Sequence, residues 1–199
     1  MGLIDLDQIA REVLAREAVN GTRIIGVDGP SGSGKSMLAR RLAARTGAPI
    51  VWVDHFVSWS DFAGWWPRFD EQVLTPLLLG RDIRFQVRDW DNDEFGTSLS
   101  GWETLTWAPL FIFDGVTCTR REAAARLAYR VWVQAPPETR LARGVERDGA
   151  THRQLWREWM ESEAEFFDRD RTRERADLRV NGAPTVPHDP ERQVVTVDP

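Results

Sequence analysis

Apolar positions along this chain follow two rhythms. Short unbroken apolar runs alternate with stretches where apolar residues recur every three or four positions. The runs RIIGVD (23–28), IVWVD (50–54), LFIFD (110–114), RVWVQA (130–135) and ADLRVNG (176–182) predict strands buried on both faces. Between them the helical rhythm takes over. Leu6, Ile9, Val13 and Leu14 predict an amphipathic helix over 3–19, ended by Asn20-Gly21, and MLARRLAART predicts another that stops at Gly47. Residues 69–79 predict a helix with a break or start near Pro76, and REAAARLA a short one. Residues 137–148 and 153–167 predict two helices rich in arginine and acid. Residues 83–107 break the alternation: IRFQV and ETLTW flank a polar, turn-rich segment and predict a hairpin insert. QVVTV near the C-terminus predicts one more edge strand. Strands alternating with helices predict an α/β fold with a parallel sheet covered on both faces. In such sheets ligands bind at the carboxyl ends of the strands, where Asp28, Asp54 and Asp114 fall.

Composition narrows the class. Of 199 residues, 42% are hydrophobic, enough for a packed core and too many for a disordered chain. The formal net charge of -5 argues against nucleic acid or an anionic membrane surface as partner. A single cysteine, Cys118, allows no disulfide within the chain and fits a reducing cytosol. Asp5, Asp7, Arg11 and Glu12 break up any secretory leader, and no apolar run is long enough to span a bilayer, so a cytoplasmic protein is expected. Lys35 is the only lysine beside many arginines. A bias towards arginine explains the scarcity. It also marks the survivor, because a guanidinium cannot replace a compact ammonium in a tight phosphate loop.

That lysine sits in Gly29-Pro30-Ser31-Gly32-Ser33-Gly34-Lys35-Ser36, a complete G-x-x-x-x-G-K-[ST] between a predicted strand and a predicted helix. Glycines let backbone N–H groups turn inward around a phosphate, with Lys35 reaching the β- and γ-phosphates and Ser36 binding Mg²⁺. The helix that starts here, with Met37 in its first turn, adds its positive end. ATP and Mg²⁺ are the expected cofactors. At the next strand end Asp54 can orient or accept the proton of an attacking hydroxyl; capping a turn is its competing role. LFIFD ends in Asp114, which resembles a Walker B carboxylate for the metal, with capping again the alternative. Arg140, Arg143 and Arg147 share one helical face, able to stabilise a phosphoryl group in transit or to pair with Glu138 and Glu146. His152 and His188 have no metal-spaced partners, and Cys118 is read as structural.

Together GVDGPSGSGKS, VDHF, RDWD, FDG and ETRLARGVERD resemble the uridine kinase group of P-loop kinases, which includes pantothenate kinase and phosphoribulokinase relatives. The likeness runs over roughly residues 23–182. It implies one P-loop kinase domain over 1–199 with a five-stranded parallel sheet, an acceptor-side insert at about 55–107 and a lid at about 137–152. It implies Asp54 as acceptor base and substrate contacts from Phe56, Arg88, Asp89 and Trp90. Arg140, Arg143, Arg147 and Asp148 match the lid, and Gly144 stands where the family has an arginine. The family's D-x-F-Y tyrosine is Val57, and the tyrosine and histidine of its Y-D-F-x-x-H stretch are Arg88 and Asp93. The expected activity is transfer of the ATP γ-phosphate to a hydroxyl of a small molecule, of the uridine or cytidine kind. A sugar, a pantothenate-like alcohol or an amine-bearing acceptor is the alternative, as is a nucleotide-binding protein without catalysis. With one lysine the chain has no N-K-x-D guanine motif, and it lacks the L-S-G-G-Q of transporter ATPases.

Overall fold

A computed structural model describes residues 2–198. The elements run in chain order as strand β1 (Leu3–Asp5), helix α1 (Leu6–Ala15), β2 (Arg23–Asp28), α2 (Lys35–Thr46) and β3 (Ile50–Trp52). Next, α3 (Trp66–Phe69) passes through a π-turn (Asp70–Leu74) into α4 (Thr75–Leu78). β4 (Ile83–Arg88) and β5 (Leu99–Leu105) follow, then β6 (Leu110–Asp114), α5 (Arg121–Ala124), β7 (Tyr129–Gln134), α6 (Pro137–Asp148), α7 (Arg153–Asp170), β8 (Leu178–Asn181) and β9 (Gln193–Val195).

Five of these strands form the predicted sheet, in the order β3-β6-β2-β7-β8 with every pairing parallel. The physical cause is in the runs themselves. Each residue of β6 is buried, and successive side chains alternate between two cores. Phe111 and Phe113 point into one with Ile24, Phe69, Trp132 and Phe167; Leu110 and Ile112 point into the other with Ile25, Val27, Leu38 and Leu42. A strand that is apolar on both faces needs a layer on each, which only crossover helices supply. β4 and β5 pair antiparallel as a hairpin beside the sheet.

Three sequence expectations shift. The first helix covers only 6–15, because residues 3–5 pair antiparallel with β9, and Leu14 is exposed rather than buried. Residues 193–195 therefore pair with the N-terminus and not with the five-stranded sheet, although Thr196 bridges to Val180. The second core strand ends at Trp52, and a 3-10 turn closed by the Phe56 N–H on the Val53 carbonyl carries Asp54. That turn lifts Asp54 off the sheet edge.

Candidate active site

The loop between β2 and α2 turns back on itself with Gly29, Gly32 and Gly34 at φ of +134, +75 and +100°, a region closed to most side chains. Lys35 is buried, and its Nζ donates to the Pro30 carbonyl at 3.0 Å, laying the ammonium across the loop. The loop is packed from behind as well. A Cβ on Gly182, just past β8, would lie 1.7 Å from the Ser33 carbonyl oxygen. Arg143 then clamps both pieces, donating to the Gly32 carbonyl at 3.0 Å and the Gly182 carbonyl at 3.1 Å.

Under the loop, Asp28 is fully buried. Its carboxylate accepts from the N–H groups of Gly29, Thr117 and Thr119 and from the Thr119 hydroxyl, at 2.7–2.9 Å. Burial nonetheless pushes its pKa up to about 6 against those bonds. Asp28 thus braces the turn after β6 and is not a cleft residue. Asp114 is different. Its Oδ2 accepts from the Ser36 hydroxyl at 2.7 Å, while Oδ1 is buried without a partner. Burial raises its pKa to about 6, against the pull of Lys35 and Ser36. A hydroxyl and an unsatisfied carboxylate oxygen beside a phosphate loop fit Mg²⁺, which takes one or two protein oxygens and completes its shell with phosphate and water.

These groups open into a cleft of about 700 Å³. Asp54 stands on its far wall, exposed, with no side-chain hydrogen bond among the described residues. Electrostatic coupling links it to Asp114 on one side and Arg147 on the other. Trp90 donates from Nε1 to the Asp54 carbonyl at 2.9 Å, with Arg88 packed over its ring 4.9 Å from the centroid. Trp59, edge-on to both Trp156 and Trp159, continues the wall. Of the neighbouring tryptophans, Trp65 is in the core, and Trp66 packs on Trp65 and Phe69 outside the cleft. Glu94 closes the rim and meets His152, in the turn after α6, at 2.5 Å.

Several predicted contacts take other positions. Phe56 is buried among Trp65, Phe69 and Phe85. The guanidinium of Arg88 is spent on the carbonyls of Asp89, Asp93, Gly96 and Ser98, which fold the hairpin loop around it. Asp89 caps that loop through Asn92. None of the three lines the cleft; Trp90 alone does. On α6, Arg140, expected at the nucleotide, is buried against Glu163 at 3.1 Å and does not line the cleft. Arg147 does line it, exposed and paired with Asp148 at 2.7 Å. The glycine at 144, where the resemblance expects an arginine, has a steric cause: a Cβ there would meet the Trp156 ring at 2.3 Å. The indole fills the place of that side chain, held by its Nε1 bond to Asp148 at 2.9 Å.

Comparison with known proteins agrees with this geometry. A family model described as an AAA domain matches residues 25–173. The chain belongs to this AAA domain family. Among solved structures, a possible uridine kinase from Bacillus stearothermophilus superposes with a TM-score of 0.65 at 18% identity, covering 87% of this chain and 96% of that one. A proposed fructose transport system kinase from Silicibacter sp. TM1040 gives 0.61 at 18%, covering 87% and 95%. The D-glycerate 3-kinase of Cryptococcus neoformans gives 0.51 at 11%, covering 88% and 94%. No curated protein matches by sequence. This AAA domain therefore has the fold of P-loop small-molecule kinases, a nucleotide-binding fold, and no helix among its described residues is long and apolar enough to cross a membrane.

Sequence reasoning missed Trp156, Trp159 and Glu163. Their spacing of three and four put them on one face of a charged helix, which was the available signal. It also missed a second cleft of about 460 Å³ beside Met37, walled by Arg41, Asn181, Ala183, Pro184 and His188. No local motif connects the phosphate loop with a segment nearly 150 residues later.

Proposed function

We propose that this protein is an ATP-dependent phosphotransferase acting on a hydroxyl of a small molecule, with a nucleoside as the acceptor class. The observation that carries the reading is Asp54: an unpaired carboxylate facing, across one cleft, the Ser36–Asp114 pair and the phosphate loop. Asp54 takes the proton of the acceptor hydroxyl as its oxygen attacks the γ-phosphorus in line, the bond from that phosphorus to the β,γ-bridging oxygen breaks, and ADP leaves. Lys35 and the inward loop amides balance the growing charge on the phosphate oxygens. Arg147 faces the same space, and Arg143 fixes the loop that holds the donor. Ser36 and Asp114 would hold Mg²⁺, which would supply positive charge to neutralise the phosphate chain. The second cleft, beside Met37 and the 181–184 loop, receives the base of the donor. Trp90 and Trp59 offer aromatic surface on the acceptor side, suited to stacking a nucleobase.

The test is a mass-spectrometric screen with ATP–Mg²⁺ against pools of nucleosides, sugars, pantothenate-like alcohols and amino alcohols, with Asp54→Asn as control. The reading expects one product heavier by one HPO₃ from the nucleoside pool, absent with the variant. A product from another pool moves the acceptor class. No product from any pool, with ATP still bound, overturns the assignment of catalysis.

A further inference from the structure

Glu163 lies on α7, far in sequence from the phosphate loop, yet it is 1% exposed and bonded directly to that loop. Its Oε1 accepts from the Ser31 backbone N–H at 2.7 Å and from Trp159 Nε1 at 2.8 Å. Its Oε2 accepts from Arg140 at 3.1 Å. Trp159 also donates to the Ser31 hydroxyl at 3.0 Å, and Arg140 reaches the Ser31 carbonyl at 3.5 Å. All three polar groups of Ser31 are therefore held by side chains of α6 and α7. A buried carboxylate must have partners, and here each partner is either the loop or a residue that grips the loop.

The same indole belongs to the acceptor side. Trp159 lines the large cleft and packs edge-on against Trp59 at 5.2 Å and Phe62 at 5.0 Å, both on the aromatic segment after β3. One hydrogen-bonded unit, Glu163–Trp159–Ser31, thus touches the donor loop at one end and the acceptor wall at the other.

We infer that Glu163 is a positioning residue that fixes the phosphate loop in its nucleotide-receiving shape and, through Trp159, links the acceptor wall to that shape. The inference rests on the kinase reading of the cleft. The physical basis is entropy. The loop holds three glycines at positive φ and is free to rearrange unless something outside it sets its course. Coupling through one shared side chain is reciprocal, so occupancy against Trp159 favours the loop shape that occupancy at the loop favours.

Titration of Mg-ADP into the full chain by calorimetry tests this. Glu163→Gln keeps the volume but turns an amide towards Arg140. It is expected to weaken Mg-ADP about tenfold, equivalent to about 1.4 kcal/mol, while far-UV circular dichroism stays unchanged. Glu163→Asp, which keeps the charge, recovers part of the loss. Trp159→Phe keeps a ring and removes only the N–H, and is expected to weaken Mg-ADP about threefold. The double variant falls short of the product of the two losses, because both act on Ser31. A merely structural role gives losses that multiply and track the melting temperature, and that result overturns the inference. So does affinity within twofold of wild type in Glu163→Gln, or, should that variant not fold, in Trp159→Phe. Lys35→Ala run alongside separates the two levels. If it loses Mg-ADP while the Glu163 and Trp159 variants do not, the loop reading stands and the coupling fails. If it binds as wild type, the loop reading fails and takes the inference with it.

Discussion

The two halves of the cleft, which the proposal assigns to donor and acceptor, are built by different means. Around the phosphate loop nearly every group is backbone or is bonded to backbone: Lys35 to Pro30, Arg143 to Gly32 and Gly182, Asp28 to three N–H groups, Glu163 to Ser31. The acceptor half is a wall of side chains, Trp59, Trp90 and Trp156, around a carboxylate left free. Backbone cradles accept few sequences, because glycine is required where φ is positive or where two segments touch. Side-chain walls can be rebuilt one residue at a time. That difference explains why the motif at 29–36 is complete while the segments around Asp54 and Trp90 have diverged from the family they resemble.

The comparison can be broken at several points. Asp54→Asn is expected to cut turnover by roughly 10²–10⁴, the contribution of a general base, with ATP affinity nearly unchanged. Steady-state kinetics beside calorimetry would read both numbers, and an equal loss of affinity would move Asp54 to the donor half. Lys35→Ala should lose about 10²–10³ in turnover, the range for removing one charge-stabilising donor, with circular dichroism unchanged. Turnover at the wild-type level would remove the donor reading altogether.

Asp114 straddles the two halves and sharpens the contrast through pH. Burial raises its pKa to about 6, so the acid gains a proton as pH falls through 6, and the protonated form cannot hold a metal ion. Mg-nucleotide affinity should be flat above about pH 7 and fall towards tenfold per unit below about 6. Asp114→Asn should bind weakly at every pH and lose that slope. The sign for stability is opposite. Asp28 and Asp114 both titrate higher in the fold than the ordinary 3.8. In the unliganded fold these two carboxyls therefore hold protons that the unfolded chain has released between about pH 4 and 6, and the stability they contribute is lost as pH rises through that range. A melting series across that range, with and without Mg-nucleotide, reads both effects.

The smallest expected effect is the most local. Gly144→Ala puts a methyl 2.3 Å from the Trp156 ring and should destabilise by about 1–3 kcal/mol, the range for overpacking. Calorimetric melting would show it, and an unchanged melting temperature would mean that the indole moves aside freely.

What the sequence determined by itself was whatever is local. Apolar runs without polar interruption demanded cover on both faces, and so fixed the parallel sheet. The spacing of glycines, lysine and serine over eight residues fixed the phosphate loop, because its positive-φ turns and the Lys35–Pro30 bond lie within that stretch, while its outer braces come from α6, α7 and Gly182. Position at strand ends found Asp54 and Asp114. The tertiary structure decided what depends on distant neighbours. Residues 3–5 became a strand because 193–195 lie beside them. Arg140 pairs with Glu163, and Arg88 with four carbonyls of its own hairpin loop, instead of facing the cleft. A buried charge takes the partner that folding brings to it, and no spacing along the chain encodes which partner that is. Gly144 makes the same point: as a sequence it is an arginine lost, and in the fold it is the floor under Trp156.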